Sequence, residues 1–136
     1  MKTVNEGGSK VTEADPGQAI VSLRQTRLGD ILVDGEGRTL YLFTLDQDAN
    51  STCYGECALY WPPLTKEGTP LGGDGIDRTK LGISARTDGT TMVTFNGHPL
   101  YYFIKDSTAG DVAGQGYNSV WYVLDAKGNA ITSQVA

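Results

Sequence analysis

Short apolar runs alternate with polar positions along this chain, and each run stops at a glycine-bearing turn. Ala19 to Arg24 and Leu28 to Val33 read as the first two strands. Asp34-Gly35-Glu36-Gly37 is a turn, and Arg38 to Leu45 is a third strand. The second half follows the same grammar. Leu81 to Thr87, Thr91 to Phe95, Pro99 to Ile104 and Ser119 to Leu124 read as strands, with turns at Asp88-Gly89 and Asn96-Gly97. Ala130 to Thr132 reads as a last edge. Turn signals at about every 8–12 residues predict an all-β fold, an antiparallel sandwich or barrel-like arrangement with long loops and little helix. Only Cys57 to Tyr60, stopped by Trp61-Pro62-Pro63, suggests a helical turn.

The two halves share more than grammar. Tyr41-Leu42-Phe43-Thr44-Leu45-Asp46 returns as Tyr101-Tyr102-Phe103-Ile104-Lys105-Asp106, so Tyr-x-Phe-x-x-Asp occurs twice. Trp61 and Trp121 follow the two copies at one spacing. Two landmarks at a common offset predict tandem pseudo-symmetric repeats, about 28–66 and 90–128, within one β domain over 19–136. Strand parity puts Leu40 and Leu42 on one face and Tyr41, Phe43 and Leu45 on the other. Leu100, Tyr102 and Ile104 oppose Tyr101 and Phe103 in the same way. Both faces are apolar, so these are expected to be central strands, their aromatic faces meeting across a pseudo-twofold axis. Gln47 to Tyr60 and Ser107 to Asn118 are equivalent long loops, and Lys66 to Lys80 links the repeats. Residues 1–18 have the polar, Gly-bearing composition of a flexible tether, without the apolar core of a signal peptide.

Composition sharpens this picture only a little. The chain has 136 residues, enough to bury about two thirds of its extended surface. Eighteen Gly suit many tight turns. A formal charge of −5 argues against nucleic acid and anionic lipid as partners. No apolar run reaches the ~18 residues of a membrane span.

Candidate chemistry is sparse. Cys53-Tyr54-Gly55-Glu56-Cys57 holds the only two Cys. A disulfide closing this small loop is the leading reading; a half metal site, with Glu56, Asp48 or the lone His98 nearby, and a redox dithiol are the others. Asp46 and Asp106 end their strands and are expected to cap the loops they open by accepting backbone N–H bonds. The alternative is a carboxylate pair for glycan chemistry, which would need both acids free across an open cleft. Tyr41, Phe43, Tyr101, Phe103 and the two Trp are expected in the core. Tyr54, Tyr60 and Tyr117, in or beside the long loops, are candidate contact residues. No catalytic set, cofactor or metal site is expected.

The doubled motif, with Gly37-Arg38-Thr39-Leu40, Trp61-Pro62-Pro63-Leu64 and Gly97-His98-Pro99-Leu100 around it, resembles a family of bacterial predicted lipoproteins and secreted repeats with a Tyr-x-aromatic-x-x-Asp motif and no established function. The resemblance implies export, with membrane contact through a lipid anchor at an upstream Cys, and favours the disulfide for Cys53 and Cys57. Ala113 and Tyr117 stand where the first repeat has its Cys, so the pair serves one loop. The expected function is a non-enzymatic extracytoplasmic binding or envelope-associated module. Its partner would be a small molecule, a glycan or an envelope protein. The alternative is a redox or metal-handling protein using the Cys pair.

Overall fold

A computed structural model describes residues 19–65 and 70–133. The tether over 1–18, part of the linker (66–69) and 134–136 lie outside the described residues. Chain order is β1 (Ile20–Thr26), β2 (Gly29–Asp34), β3 (Tyr41–Phe43), α1 (Glu56–Tyr60), β4 (Leu71–Gly72), a 3-10 turn (Arg78–Lys80), β5 (Leu81–Ala85), β6 (Thr91–Phe95), β7 (His98–Pro99) and β8 (Trp121–Val123). They form three small sheets, β2-β1-β4, β3-β8 and β5-β6-β7. The all-β expectation holds, but among the described residues the sheets do not close into a barrel.

Local chemistry accounts for the hairpins. Asn96 and Gly97 take φ values of 53° and 80°, the left-handed pair that a type I′ turn requires between β6 and β7. Asp34 Oδ1 accepts the N–H groups of Glu36 and Arg38, both at 2.9 Å, and Asp125 does the same for Lys127 and Asn129. β4 lies inside the expected linker and pairs with β1 in parallel, because Leu71 and Gly73 donate to the carbonyls of Ala19 and Val21.

The centre of the molecule is built by exchange between repeats. Tyr41 and Tyr101 pair directly, each N–H donating to the other's carbonyl at 2.8 and 3.0 Å. Outside them, β3 of the first repeat pairs with β8 of the second, Phe43 opposite Trp121. The mirrored pairing joins Tyr101 to Pro63, with Tyr102 and Ile104 donating to Pro62 and Tyr60. Here the expected strand over Pro99–Ile104 is interrupted. Pro62 has no N–H to return to the Tyr102 carbonyl, so the ladder is broken there and an isolated bridge remains. The expected strand over Arg38–Leu45 is also shorter, because the chain turns after Phe43. In each copy the Asp N–H bonds back to the Phe carbonyl three residues earlier, at 3.0 Å. Leu45 and Ile104, assigned by parity to the interior, therefore stand exposed near these turns.

Parity does decide the two faces of the motif strands. Leu40, Leu42 and Leu100 join an aliphatic core with Val21, Leu32 and Leu124. Tyr41, Phe43, Tyr101 and Phe103 join an aromatic core with Trp61 and Trp121. In that core Phe103, Trp61, Trp121 and Phe43 form one face-to-face column, at centroid spacings of 4.0, 3.9 and 4.2 Å. Tyr41 and Tyr101 meet the two Trp edge-on at 5.3 and 5.2 Å. These matched distances express the pseudo-twofold axis.

Gly114 lays its backbone against this column. A Cβ there would fall 2.6 Å from the Trp61 ring and 3.0 Å from Phe103. Gly114→Ala is expected to cost about 1–3 kcal/mol through overpacking. Urea unfolding followed by Trp emission checks it, and an unchanged midpoint would mean that the loop moves aside freely.

Candidate functional site

The motif Asp residues are committed to structure. Asp46 Oδ1 accepts the Thr52 N–H (2.7 Å) and hydroxyl (2.6 Å), while Oδ2 accepts the Tyr101 hydroxyl at 2.6 Å. Asp106 Oδ1 accepts the Ala113 N–H at 2.8 Å, and Oδ2 accepts the Tyr41 hydroxyl at 2.6 Å. Each carboxylate caps its own loop, as its position at a strand end suggests, and also holds the tyrosine of the other repeat. Both acids are buried, at 5% and 6% exposure. The paired-acid chemistry considered above finds neither carboxylate free.

Burial sets the ionisation of this brace. It pushes the Tyr41 phenol well above its usual range, and the Asp106 carboxylate it donates to pushes in the same direction. Burial likewise raises Tyr101, reinforced by Asp46. Both hydroxyls thus remain donors at physiological pH. Asp106 is raised from its ordinary 3.8, first by burial; the Tyr41 and Ala113 hydrogen bonds oppose this, and the nearby Asp111 charge adds to it. A raised carboxyl in the folded state binds its proton more tightly than the unfolded chain does. Its contribution to stability is full below 3.8 and is lost as pH rises through the raised value. Acidification from neutral pH toward 3.8 should therefore shift the stability difference between the parent and Asp106→Asn in the parent's favour. Urea midpoints of both proteins across that interval test this, and parallel profiles would contradict it. Asp77, Asp88 and Asp111, lowered by hydrogen bonds from neighbouring Thr or Ser residues, act with the opposite sign but are common to both proteins.

Cys53 and Cys57 are joined as a disulfide. Among the described residues no group of three His, Cys, Asp or Glu side chains converges to hold a metal. Burial holds the half-buried His98 imidazole, in β7, below its ordinary 6.5. The disulfide fastens α1, which has no side-chain N-cap and no fully buried residue. Replacing both Cys by Ala should cost about 2 kcal/mol on the chain-entropy account. Thermal unfolding measures this, and an unchanged transition would show that α1 holds by itself.

Arg86, unflagged by any sequence pattern, is buried against the same loop. Its Nη1 donates to Ser51 Oγ and its Nη2 to the Cys53 carbonyl, both at 2.9 Å. The guanidinium lies 4.2 Å from the Tyr54 ring centroid, and the Tyr54 hydroxyl accepts the Thr87 N–H. Ser51 Oγ is 2.6 Å from the Tyr101 hydroxyl, which donates to Asp46. A buried cation and a buried carboxylate are thus linked through two hydroxyls.

The remaining tyrosines meet elsewhere. Between α1 and the turn over Gly116–Trp121 lies an open cleft of about 480 Å3. Tyr60 and Tyr117, 47% and 43% exposed, stand at its rim, while the buried Trp61 and Trp121 form its floor. Glu56, Lys105 and Asn118 supply polar groups. Tyr54 does not line it. Asn118 and Ser119 adopt φ values of 52° and 60°, a left-handed pair of non-glycine residues. Hydrogen bonds from the Ser119 and Val120 N–H groups to the Gly116 and Tyr117 carbonyls hold that corner. A second hollow of about 550 Å3 flanks Tyr102 and Arg38. Two of its polar groups are engaged with the protein itself, Tyr102 with Asp34 and Arg38 with the Asp106 carbonyl, and of its polar side chains only Glu36 makes no bond to a described residue. The aromatic cleft is the better site.

A model of a lipoprotein family, described as a secreted repeat of unknown function, matches residues 22–65 and again residues 82–125. No curated protein and no solved structure matches the chain.

Proposed function

We propose that this chain, which belongs to that family of secreted repeats, is a non-enzymatic extracytoplasmic binding module whose ligand sits in the cleft between α1 and Gly116–Trp121. The family is a secreted one, and the intramolecular disulfide accords with an oxidising compartment. The observation that carries the binding reading is the pair of half-exposed tyrosines, Tyr60 and Tyr117, over a rigid aromatic floor. Exposed aromatics on loops held by a packed scaffold are the usual furniture of recognition sites. Asp46 and Asp106 are occupied by structural bonds, which favours binding over turnover. Membrane contact would come through a lipid anchor upstream; no helix among the described residues is long and apolar enough to cross a membrane.

Trp61 and Trp121 make the cleft its own reporter. Small molecules, glycans and envelope fractions can be screened by Trp emission and by the rise in melting temperature. A ligand should act on the parent and fail on Tyr60→Ala/Tyr117→Ala; because Tyr117 also packs on Trp61 and Phe103, circular dichroism must show that the variant is folded at the assay temperature. Ligand effects that survive this double substitution would move the site elsewhere. Substrate turnover abolished by Asp46→Asn or Asp106→Asn would overturn the non-enzymatic reading.

A further inference from the structure

The geometry points to an uncharged carbohydrate as the ligand of this cleft, an inference that rests on the binding reading above. The column beneath the cleft is already closed. Trp61 and Trp121 stack on each other and on Phe103 and Phe43, leaving no Trp face for a flat heterocycle to cover. Trp61 and Trp121 are 4% and 3% exposed, so the floor is firm and offers little area. The accessible aromatic surface belongs to Tyr60 and Tyr117 at the rim. Rings there suit a ligand with an apolar face and a hydroxylated edge. The cleft is open and shared with polar side chains, unlike the enclosed apolar chamber that an acyl chain requires.

Its polar groups point the same way. Glu56 accepts, Lys105 donates, and Asn118 does both. Their charges cancel, so the site gives no net attraction to an anion or a cation. Sugar hydroxyls both donate and accept, and a mixed set of this kind matches them. The turn carrying the Asn118 amide is closed by hydrogen bonds from the Ser119 and Val120 N–H groups to the Gly116 and Tyr117 carbonyls, so its backbone is set before the ligand arrives.

The test uses the whole chain and a fixed set of probes. These are β-1,4-glucan, β-1,4-linked N-acetylglucosamine and α-mannan oligosaccharides, with an oligouronate, riboflavin and a lysophospholipid as contrasts. Calorimetry and Trp emission should show saturable binding of at least one neutral oligosaccharide. Tyr60→Ala or Tyr117→Ala should weaken it about tenfold or more, as loss of an aromatic anchor does. Lys105→Gln, an exposed polar change that spares the core, should weaken it as well. Failure of all three neutral oligosaccharides to bind at millimolar concentration, or binding that ignores these substitutions, overturns the carbohydrate inference. If riboflavin or the lysophospholipid binds instead, and loses affinity in Tyr60→Ala, the carbohydrate is wrong but the binding module stands. If no probe binds through the cleft and the broader screen also finds no cleft-dependent ligand, both fall.

Discussion

Trp121→Ala is expected to cost about 3–5 kcal/mol, and Trp61→Ala a similar amount. Each indole is buried in the column with a ring on both faces, at spacings near 4 Å, and a tyrosine edge on its side. Removing one leaves a void that the aromatic neighbours, three around Trp121 and four around Trp61, cannot close together, since backbone pairing holds the motif strands in place. Aromatic pairs add about 0.5–1.5 kcal/mol each beyond the area they bury. Against the roughly 5–15 kcal/mol that holds a domain of this kind folded, either change removes a large share. Urea unfolding by circular dichroism gives the loss directly. The matched distances on the two sides of the axis further require similar losses for the two variants. A cost below about 1 kcal/mol for either would show that the column is not the core.

Tyr41→Phe and Tyr101→Phe are each expected to cost about 1.5–3 kcal/mol, the range for a hydrogen bond to a charged group. Each removes a 2.6 Å donor from a buried carboxylate without altering the ring that packs on its Trp. Tyr101→Phe also cuts the link between Asp46 and the Ser51–Arg86 pair, and Tyr41→Phe strands the Gly114 N–H. The double variant should approach the loss of a whole indole. Since each tyrosine answers to the aspartate of the other repeat, the halves cannot unfold separately. A single cooperative transition is therefore expected for the parent and both single variants, with similar denaturant slopes. A biphasic curve, one repeat melting before the other, would refute the exchange.

The exchange gives the motif spacing a physical meaning. Tyr and Phe, two apart on a strand, share the aromatic face. Two further residues make the turn that brings Asp back. The carboxylate then closes its own loop and receives the partner tyrosine. All of this is compatible with the sequence, yet only part could be read from it. The hairpins at Asp34 and Asn96-Gly97 were legible because their chemistry is local: a carboxylate bonding backbone N–H groups two and four residues on, and a pair that tolerates positive φ. The two-faced motif strands were legible because parity is local too. Leu45 and Ile104 were misplaced because parity continues past a turn that only tertiary contacts impose. Tyr60 and Tyr117 could be named as loop residues but not as neighbours, and Tyr54 belonged with Arg86, which no pattern announced.

By itself the sequence determined a duplicated all-β domain, the residues on each face of its central strands, and the pairing of its two cysteines as the favoured reading. Tertiary structure alone decided that each repeat completes the other, that Pro62 interrupts one half of the central ladder, and that a cleft opens over the tryptophans. The reason is one of range. Side-chain alternation, turn chemistry and loop closure act between residues close in the chain. Which carboxylate meets which phenol depends on packing between segments far apart, where many partners share one chemistry and only the assembled core selects among them.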